Sequence, residues 1–364
     1  MAGSTFGKVY RVTTWGESHG KALGAVVDGC PAGVPLTEED IQSYLDRRKP
    51  GQSKATTARK EADRCEILSG VFDGKTTGTP ISVLVWNGDQ HSKDYSNIAH
   101  VYRPGHADYT FQEKYGIRDY RGGGRSSGRE TIGRVIGGAI AMQVLKEFGI
   151  SFTCYAKSIG PVVAENVDPV YISKNSFCLP DPNVVERAQS YLDACMERKD
   201  SIGGVIECRV DGLPVGLGEP VFDKLDALLG QAVMSIGAIK GFEVGDGFQS
   251  SLLHGSQDND GFYMDGDEVK KSSNHSGGTL GGMSDGGQLV FRAAVKPTPS
   301  IALAQQTVDD QGNDTLIVIH GRHDPIIVPR AVVVVESMAA ITILDLMMQN
   351  ASSQVDALKS FYKK

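Results

Sequence analysis

Residues 121–148 read RGGGRSSGRETIGRVIGGAIAMQVLKEF, in which a run rich in glycine and arginine leads directly into an apolar helical stretch. The spacing predicts a helix over 131–148 that ends at Gly149. Three glycines inside this stretch, Gly133, Gly137 and Gly138, indicate that another element packs very close to it. The apolar residues fall near one face of the predicted helix, namely Ile132, Val135, Ile136, Ala139, Ile140 and Leu145.

The run at 121–131 favours an anionic ligand. Its three arginines supply fork-shaped positive charge that suits phosphate and carboxylate. A helix N-terminus also attracts anions through its unpaired N–H groups and its dipole. The run is not a Walker A loop, and no strand leads directly into it as in the dinucleotide fingerprint. The alternative is a glycine-rich surface turn, but the arginines favour a site for phosphorylated or polycarboxylate small molecules.

The composition of the chain is that of an ordinary globular protein. Its 364 residues are 40% hydrophobic and 22% charged, with a formal net charge of −7 that argues against a nucleic-acid partner. No signal peptide and no stretch long enough to cross a bilayer are apparent, so we expect a cytoplasmic protein without a membrane partner. The six cysteines form no CxxC pair and no zinc-site spacing, which predicts single thiols in a reducing cytosol and no metal site.

Periodicity and turn residues predict five helices and five strands. The helix at 37–49 has acids in its first turn, cations in its last turn and a Pro-Gly pair after it. The other predicted helices are 131–148, 184–199, 221–235 and 331–349, and the predicted strands are 23–28, 81–86, 204–210, 288–295 and 315–320. Because the two types mix irregularly, an α+β fold of layered helices and sheets is favoured over a doubly wound parallel sheet.

One pattern, V-D-G-x-P-x-G, occurs twice, at 27–33 and at 210–216. Each copy follows a predicted strand and precedes a predicted helix. One interpretation is that D-G-x-P is simply good turn chemistry. The other is an internal two-fold pseudo-repeat, in which the two halves of one domain are related strand–turn–helix units.

Two segments present histidines in glycine-containing loops. Residues 15–20 read WGESHG; these letters match the nucleophile-elbow pattern but lack a preceding apolar strand, so the elbow does not fit. His19 is either a catalytic residue, which we favour, or a structural histidine of the loop. Residues 102–109 read YRPGHADY, where a Pro-Gly turn precedes His106. His106 is either a general acid near a phosphate leaving group or a loop brace hydrogen-bonded to Asp108.

Two further segments carry clustered charge. Residues 47–64 hold seven Lys or Arg against two acids, Glu61 and Asp63, and are either a solvated basic face or an anion-gripping loop. Residues 321–325 read GRHDP, in which Arg, His and Asp could bind an anion and move a proton. The alternative for this second segment is a structural Arg–Asp pair.

Two loops are candidates for a bulky ligand. Residues 274–287 hold six glycines in fourteen positions, which is the composition of backbone passing close to a flat ligand or of a flexible surface loop. Residues 296–300 read KPTPS, a stiff loop with one cation and two hydroxyls. Its alternative is an ordinary connection stiffened by proline.

Taken together, these segments resemble the chorismate synthase family over nearly the whole chain. The signature regions of that family appear as 16–20, as 121–131 continuing to Arg134, and as 321–325. Residues 103–108, 277–287 and 296–298 are also similar to the family. Several long motifs in one order make the resemblance specific.

The resemblance implies a lyase that acts on 5-enolpyruvylshikimate 3-phosphate. The reaction is a 1,4-trans elimination of phosphate and a ring proton that gives chorismate in the shikimate pathway, on the way to aromatic amino acids. Reduced FMN is required without net redox change, and an external reductant or NADPH must supply its electrons. The family fold is a single-domain β-α-β sandwich, here expected over residues 1–364, with helices layered between antiparallel sheets and four copies in a homotetramer.

The resemblance also implies roles for individual residues. His106 protonates or holds the departing phosphate, His19 with Ser18 beside it manages a proton on the flavin or binds substrate, and Asp324 assists proton removal through flavin N5. The residues that line the flavin site are Arg125, Ser126, Ser127, Ala238, Gly281, Lys296, Pro297, Thr298, Pro299, Ser300 and Arg322. The residues that hold substrate or NADP anions are Arg48, Lys54, Arg129 and Arg134.

Three positions depart from what relatives often carry. Lys54 replaces an Arg and loses bidentate pairing, Pro299 replaces a Ser, and Gly237 replaces an Asn before Ala238.

Two other functions compete with the elimination. One is a flavin-dependent oxidoreductase acting on an anionic substrate, and the other is a non-catalytic protein that binds an anion or flavin.

Overall fold

Two five-stranded antiparallel sheets frame the protein in the computed structural model, which describes residues 3–49, 62–88, 98–319 and 324–363. In spatial order the first sheet consists of β1 (Thr5–Phe6), β2 (Arg11–Gly16), β3 (Ala22–Asp28), β7 (Ile81–Trp86) and β4 (Cys65–Ile67). The second consists of β11 (Ile239–Val244), β16 (Leu289–Val295), β10 (Gly204–Asp211), β8 (Ser151–Ile159) and β9 (Val162–Val163). The fold is therefore mixed α/β with antiparallel sheets.

Four two-stranded hairpins and eight α-helices accompany these sheets in the described residues. The described hairpins pair β5 (Val71–Phe72) with β6 (Lys75–Thr76), β12 (Phe262–Asp265) with β13 (Glu268–Lys271), β14 (Thr279–Leu280) with β15 (Met283–Ser284), and β17 (Gln305–Val308) with β18 (Asp314–Ile317). The described α-helices are α1 (Glu38–Arg48), α2 (Asp108–Tyr115), α3 (Thr131–Lys146), α4 (Val185–Glu197), α5 (Leu225–Met234), α6 (Gly255–Asp258), α7 (Val328–Asn350) and α8 (Val355–Tyr362).

The core is built on the contact between α3 and α7. Helix α3 also packs on β2 and β3 of the first sheet, and α7 packs on β8 and β10 of the second. The glycines of α3 make this possible, because a Cβ on Gly138 would lie 2.3 Å from Cβ of Ser337, and one on Gly133 would lie 2.7 Å from a methyl of Thr14. The predicted close approach to this helix is confirmed.

Most predicted elements are present with shifted ends. Helix α1 is capped by Thr37, whose side chain accepts a hydrogen bond from the backbone N–H of Asp40. The helix predicted over 221–235 begins only at Leu225, and the strand predicted over 315–320 covers Asp314–Ile317, with residue 320 outside the described part. Strands β2, β8 and β11 and helix α2 were not predicted. Residues 16–20 begin at the end of β2, which is a strand of mixed polarity and not an apolar one, and β3 comes after them, so the segment is a hairpin loop and no elbow.

Helix α7 corrects a second expectation. It has 23 residues, and its most apolar window of 18 residues has a mean hydropathy of 2.0, so it is long and apolar enough to cross a bilayer by length and composition alone. However, 83% of that apolar window is buried inside the protein. Its composition therefore matches its position against α3 and the second sheet, where every face of the helix meets protein.

The prediction of six single cysteines is wrong for one pair. Cys154 and Cys208 lie directly opposite each other on β8 and β10, with their Cα atoms 4.2 Å apart, and form a disulfide. A separation of 54 residues gave no hint of this pairing, which only the strand register creates. Among the free thiols, burial raises the pKa of Cys30 to about 11, so that it stays protonated and unreactive at neutral pH.

We predict that Gly138→Ala lowers the free energy of unfolding by about 1–3 kcal/mol, because overpacking would force α3 away from α7. The added Cβ would lie 2.5 Å from Cα of Ser337, which cannot rotate away. Gly230→Ala in α5 is the matched control, since its nearest contact is an ordinary 3.4 Å to Phe242 and alanine should stabilise that helix by up to about 1 kcal/mol. Urea unfolding followed by circular dichroism compares the two, and equal effects would contradict the close packing.

Candidate active site

The hairpin loop between β2 and β3 brings His19 against the arginine–glycine run. Oγ of the buried Ser18 lies 3.0 Å from Nδ1 of His19 and donates to the carbonyl oxygen of Gly122 at 3.4 Å. Gly122 has a φ of +77°, and a Cβ there would lie 2.3 Å from Cε1 of His19. Only glycine therefore permits this approach, and two of the predicted motifs touch.

Arg129 connects that loop to the end of α1. Its Nε and Nη2 donate to Oδ1 of Asn87 at 3.1 and 2.7 Å, and Asn87 in turn donates to backbone carbonyls of the His19 loop. On the other side, Nη1 of Arg129 donates to Oδ1 of Asp63 at 3.1 Å, while Nη2 of Arg48 donates to Oδ2 of the same carboxylate. All three charged side chains are buried, with Arg48 only 1% exposed.

Asp324 joins the same network through Arg330 at the start of α7. Nη1 of Arg330 donates to Oδ2 of Asp324, and its Nε donates to the backbone oxygen of Arg48 at 3.0 Å. Burial lowers the pKa of Arg330, while the charge and the hydrogen bond of Asp324 oppose that shift. Consecutive hydrogen bonds thus link three regions that are distant in sequence. These regions contain His19, Arg129 and Asp324.

His106 lies against the loop at 296–300. Its Nε2 lies 2.9 Å from Oγ of Ser300, and its Nδ1 lies 3.0 Å from the carbonyl oxygen of Pro104. Nζ of Lys296 donates to the carbonyl oxygen of Gly105 at 3.0 Å, and a Cβ on Gly105 would lie 2.8 Å from Pro299. The backbone N–H of Lys296 donates to the oxygen of Ala238 at 2.9 Å, which adds a third predicted part of the chain to the His106 segment and the 296–300 loop.

Hydrogen bonds of Ser201 and Ile202 connect the loop beside His106 to the segment that contains Asp324. Oγ of Ser201 donates to the carbonyl oxygen of Thr298 at 2.6 Å, and the next residue, Ile202, donates to the oxygen of Pro325 at 2.9 Å. The loop that contacts His106 is therefore held beside the residue that follows Asp324. Within the described residues, Oγ1 of Thr298 and Nε of Arg48 are buried atoms without a hydrogen-bond partner.

Asp108 pairs with arginines. Its carboxylate receives Nε and Nη2 of Arg103 at 2.7 and 2.8 Å, and Arg118 approaches at 3.4 Å. Burial by itself would raise the pKa of Asp108, but the hydrogen bonds and charge of Arg103 outweigh it and hold the pKa below its usual range. The loop brace is thus an Arg103–Asp108 pair, and the described bonds of His106 go to Pro104 and Ser300.

Several predicted residues have partners within the protein. Arg125 donates to Thr14 and to the backbone oxygen of Gly16, at 2.7 to 3.2 Å, and Arg134 is bound by Glu130 and Ser235. Ser126 donates to the oxygen of Gly123, and Ser127 caps the backbone N–H of Arg129. These residues stabilise the path of the arginine–glycine run before α3 begins.

Other predicted residues lie on a further hairpin or outside the described part of the chain. Gly281 occupies the turn between β14 and β15, and the described backbone bonds of that hairpin go to Leu217 and Leu225 beside α5. Lys54 and Arg322 lie outside the described residues. No group of three or more potential metal-binding side chains occurs in the described part of the chain.

Sequence reasoning missed three connecting residues, Asp63, Asn87 and Arg330. Asp63 carried a signal, because it is one of two acids among seven cations and a buried cation cluster needs a counter-charge. Asn87 and Arg330 carried no such signal, since each lies beside a strand or helix end with no local pattern.

An open cleft of about 600 Å³ lies over the His19 loop. It is lined by His19, Gly20, Lys21, Trp86, Asn87 and Gly88.

Comparison with known proteins identifies relatives that match nearly the whole chain. The family model described as chorismate synthase matches residues 10–348. The chain is 62% identical over 366 residues to a chorismate synthase of Agathobacter rectalis and 60% identical over 366 residues to one of Lachnospira eligens, with 100% of each chain covered. A solved crystal structure of chorismate synthase matches with a TM-score of 0.78 and 31% identity, covering 98% of this chain and 97% of its own.

The family model spans more than nine-tenths of the sequence, from 10 to 348, and both relatives align from end to end. The solved structure shows that the similarity extends to the fold. The resemblance seen in the motifs is thereby confirmed, and the chain belongs to the chorismate synthase family.

Proposed function

We propose that this chain, a chorismate-forming lyase of the shikimate pathway by its family, carries out its elimination at the region shared by His19, His106 and Asp324. Its substrate would be 5-enolpyruvylshikimate 3-phosphate, which loses phosphate and a ring proton in a 1,4-trans sense. The observation that carries the proposal is the continuous network from the His19 loop through Arg129 and Arg48 to Asp324. It gathers fixed cations in one region, which supports the binding of a substrate with three acidic groups.

The loop at 296–300 is suited to holding the phosphate of FMN. Oγ1 of Thr298 is buried without a partner among the described residues, and Lys296 and Ser300 flank it on the same loop. A buried hydroxyl costs free energy unless it is hydrogen-bonded, so it fits a ligand oxygen. When bound, reduced FMN would supply electron density transiently to the substrate while its phosphate leaves, a chemistry that no side chain has.

His106 would hold or deliver a proton at the leaving phosphate. Its Nδ1 lies against a carbonyl oxygen, which can only accept, so Nδ1 carries a proton and Nε2 is the atom that exchanges one. Ser300 lies at Nε2 and orients the ring. Such a positioned general acid typically accelerates a reaction by roughly 10²–10⁴-fold.

His19 and Asp324 would handle the other proton. Ser18 at Nδ1 orients the His19 ring, which holds a proton beside the flavin or the substrate. Asp324 assists removal of the ring proton, and the ion pair with Arg330 orients its carboxylate. Arg48, Arg129 and Arg134, together with Lys54, would hold the substrate anions, and Arg125, Ser126, Ser127, Ala238, Gly281 and Arg322 would complete the flavin site with the 296–300 loop.

The larger organisation follows the family. We propose one domain over residues 1–364, a β-α-β sandwich with α3 and α7 between the two sheets, and a homotetramer in the cytoplasm. The contacts of α3 with β3 and of α7 with β8 support the layering. The internal pseudo-repeat is supported by the central place of both β3 and β10 in their sheets, each with a helix following. Electrons for FMN would come from an external reductant or NADPH.

We predict phosphate release with reduced FMN and none with oxidised FMN, because the elimination needs electron density without consuming it. Release of inorganic phosphate from 5-enolpyruvylshikimate 3-phosphate is measured under anaerobic conditions while the flavin absorbance is followed. One flavin oxidised per phosphate released would instead favour the oxidoreductase. Absence of release with either form would favour a protein that only binds.

We predict that His106→Ala and His19→Ala each lower kcat by roughly 10²-fold or more, since each removes a positioned proton carrier. Steady-state phosphate release measures both variants. Ser251→Ala is a suitable control, because Ser251 is exposed and bonds only within its own turn, so its kcat should match the wild type. Rates close to wild type for both histidine variants would exclude the assigned roles.

We predict that Asp324→Asn still binds FMN and substrate but turns over at least about 10²-fold more slowly, because it cannot assist proton removal. Asp324→Ala should in addition lower the melting temperature, since it leaves Arg330 without its carboxylate partner in a partly buried site. Flavin titration and thermal unfolding separate these effects. Loss of flavin binding in Asp324→Asn would show that Asp324 is structural.

A further inference from the structure

Asn87 occupies the junction between two parts of the site. It follows β7 directly and is half-buried, and its side chain lines the same cleft as His19. Nδ2 donates to the carbonyl oxygens of Glu17 and Gly20 at 3.0 and 2.8 Å, on both sides of His19. Oδ1 receives Nε and Nη2 of Arg129 at 3.1 and 2.7 Å.

The chemistry of the partners fixes the orientation of this amide. Backbone carbonyls only accept hydrogen bonds and a guanidinium only donates them, so Nδ2 must face the loop and Oδ1 must face Arg129. Both amide hydrogens and both acceptor positions of Asn87 are used. No other neutral side chain of this length offers two donors and two acceptors in one plane.

Neighbouring contacts fix both partners of Asn87 in place, the guanidinium of Arg129 and the His19 loop. Arg129 is held on its other side by Asp63, so a shift of its guanidinium toward or away from Asn87 would break a buried ion pair. The His19 loop is clamped at Glu17 and Gly20, one residue beyond each end of the Ser18–His19 pair. Asn87 therefore sets the distance between a proton-carrying ring and an anion-binding guanidinium.

We propose that Asn87 is a positioning residue for the elimination, acting on the rate through His19 and on substrate binding through Arg129. The inference rests on the proposed function of those two residues. A displacement of about 1 Å at a reacting group can cost roughly 10²-fold in rate. Loss of the bonds that orient a charged guanidinium should weaken substrate binding by about tenfold.

The test is a double-mutant cycle with Asn87→Ala and His19→Ala, assayed by phosphate release with reduced FMN and by calorimetric binding of 5-enolpyruvylshikimate 3-phosphate without flavin. Asn87→Ala should lower kcat by roughly 10²-fold and weaken binding by about tenfold. In the His19→Ala background it should lower kcat little further, because a residue that acts through His19 has no effect once His19 is gone.

Asn175→Ala is the matched control. Asn175 is also half-buried and makes four side-chain hydrogen bonds, to Tyr171, Phe177 and Leu179, all within its own loop. It should lose a similar amount of thermal stability while kcat and substrate affinity per folded enzyme stay at wild-type values. If Asn87→Ala does not fold, Asn87→Asp serves, since it keeps the volume but presents an oxygen to the loop carbonyls and should show the same non-additive loss of kcat.

The outcomes are separable. Additive losses of kcat in the cycle, or kinetics of the Asn87 variants that match Asn175→Ala, would overturn the positioning role while leaving the proposed function intact. A wild-type enzyme that releases no phosphate with reduced FMN would overturn the proposed function itself. In that case weaker calorimetric binding by Asn87→Ala would still support its role in orienting Arg129, and unchanged binding would refute it.

Discussion

One buried carboxylate, Asp63, holds two guanidiniums that would otherwise repel each other. Arg48 and Arg129 come from different parts of the chain and approach the two oxygens of Asp63 separately. Their formal charges sum to one net positive charge at a site closed to water, where charge interactions are strong. Such an arrangement fixes two arginines in place, and its net positive charge supports the proposed binding of a substrate anion.

The rest of the site depends on how backbone elements reach this carboxylate. Arg48 ends α1, Arg129 precedes α3, and Arg330 lies in the first turn of α7 and bonds to the backbone of Arg48, so three helix ends meet near Asp63. The glycines of α3 allow α7 and the first sheet to approach closely enough for that meeting. Gly122 then lets the arginine–glycine run pass against His19, because any side chain at that position would occupy the space of the ring.

The sequence predicted much of this and missed parts for identifiable reasons. The helix after the arginine–glycine run was predicted because its apolar face has a clear helical period. Strand β2 was missed because its residues, RVTTWG, mix charge and threonine and show no apolar run. The apolar composition of α7 resembles a membrane span, although burial on all sides requires the same residues. The Cys154–Cys208 pair was missed because strand register, which no local spacing encodes, places the two thiols opposite each other.

The sequence alone determined the family, the helix at 131–148 and its close packing, and the segments that carry histidines, arginines and Asp324. These depend on local composition, spacing and order, which a single chain displays. Only the tertiary structure decided that Asp63, Asn87 and Arg330 connect those segments. It also decided that Arg103 forms an ion pair with Asp108 and that Gly281 lies in the turn of the β14–β15 hairpin. Hydrogen bonds between residues far apart in the chain depend on where strands and helices end in space, and no local pattern records that.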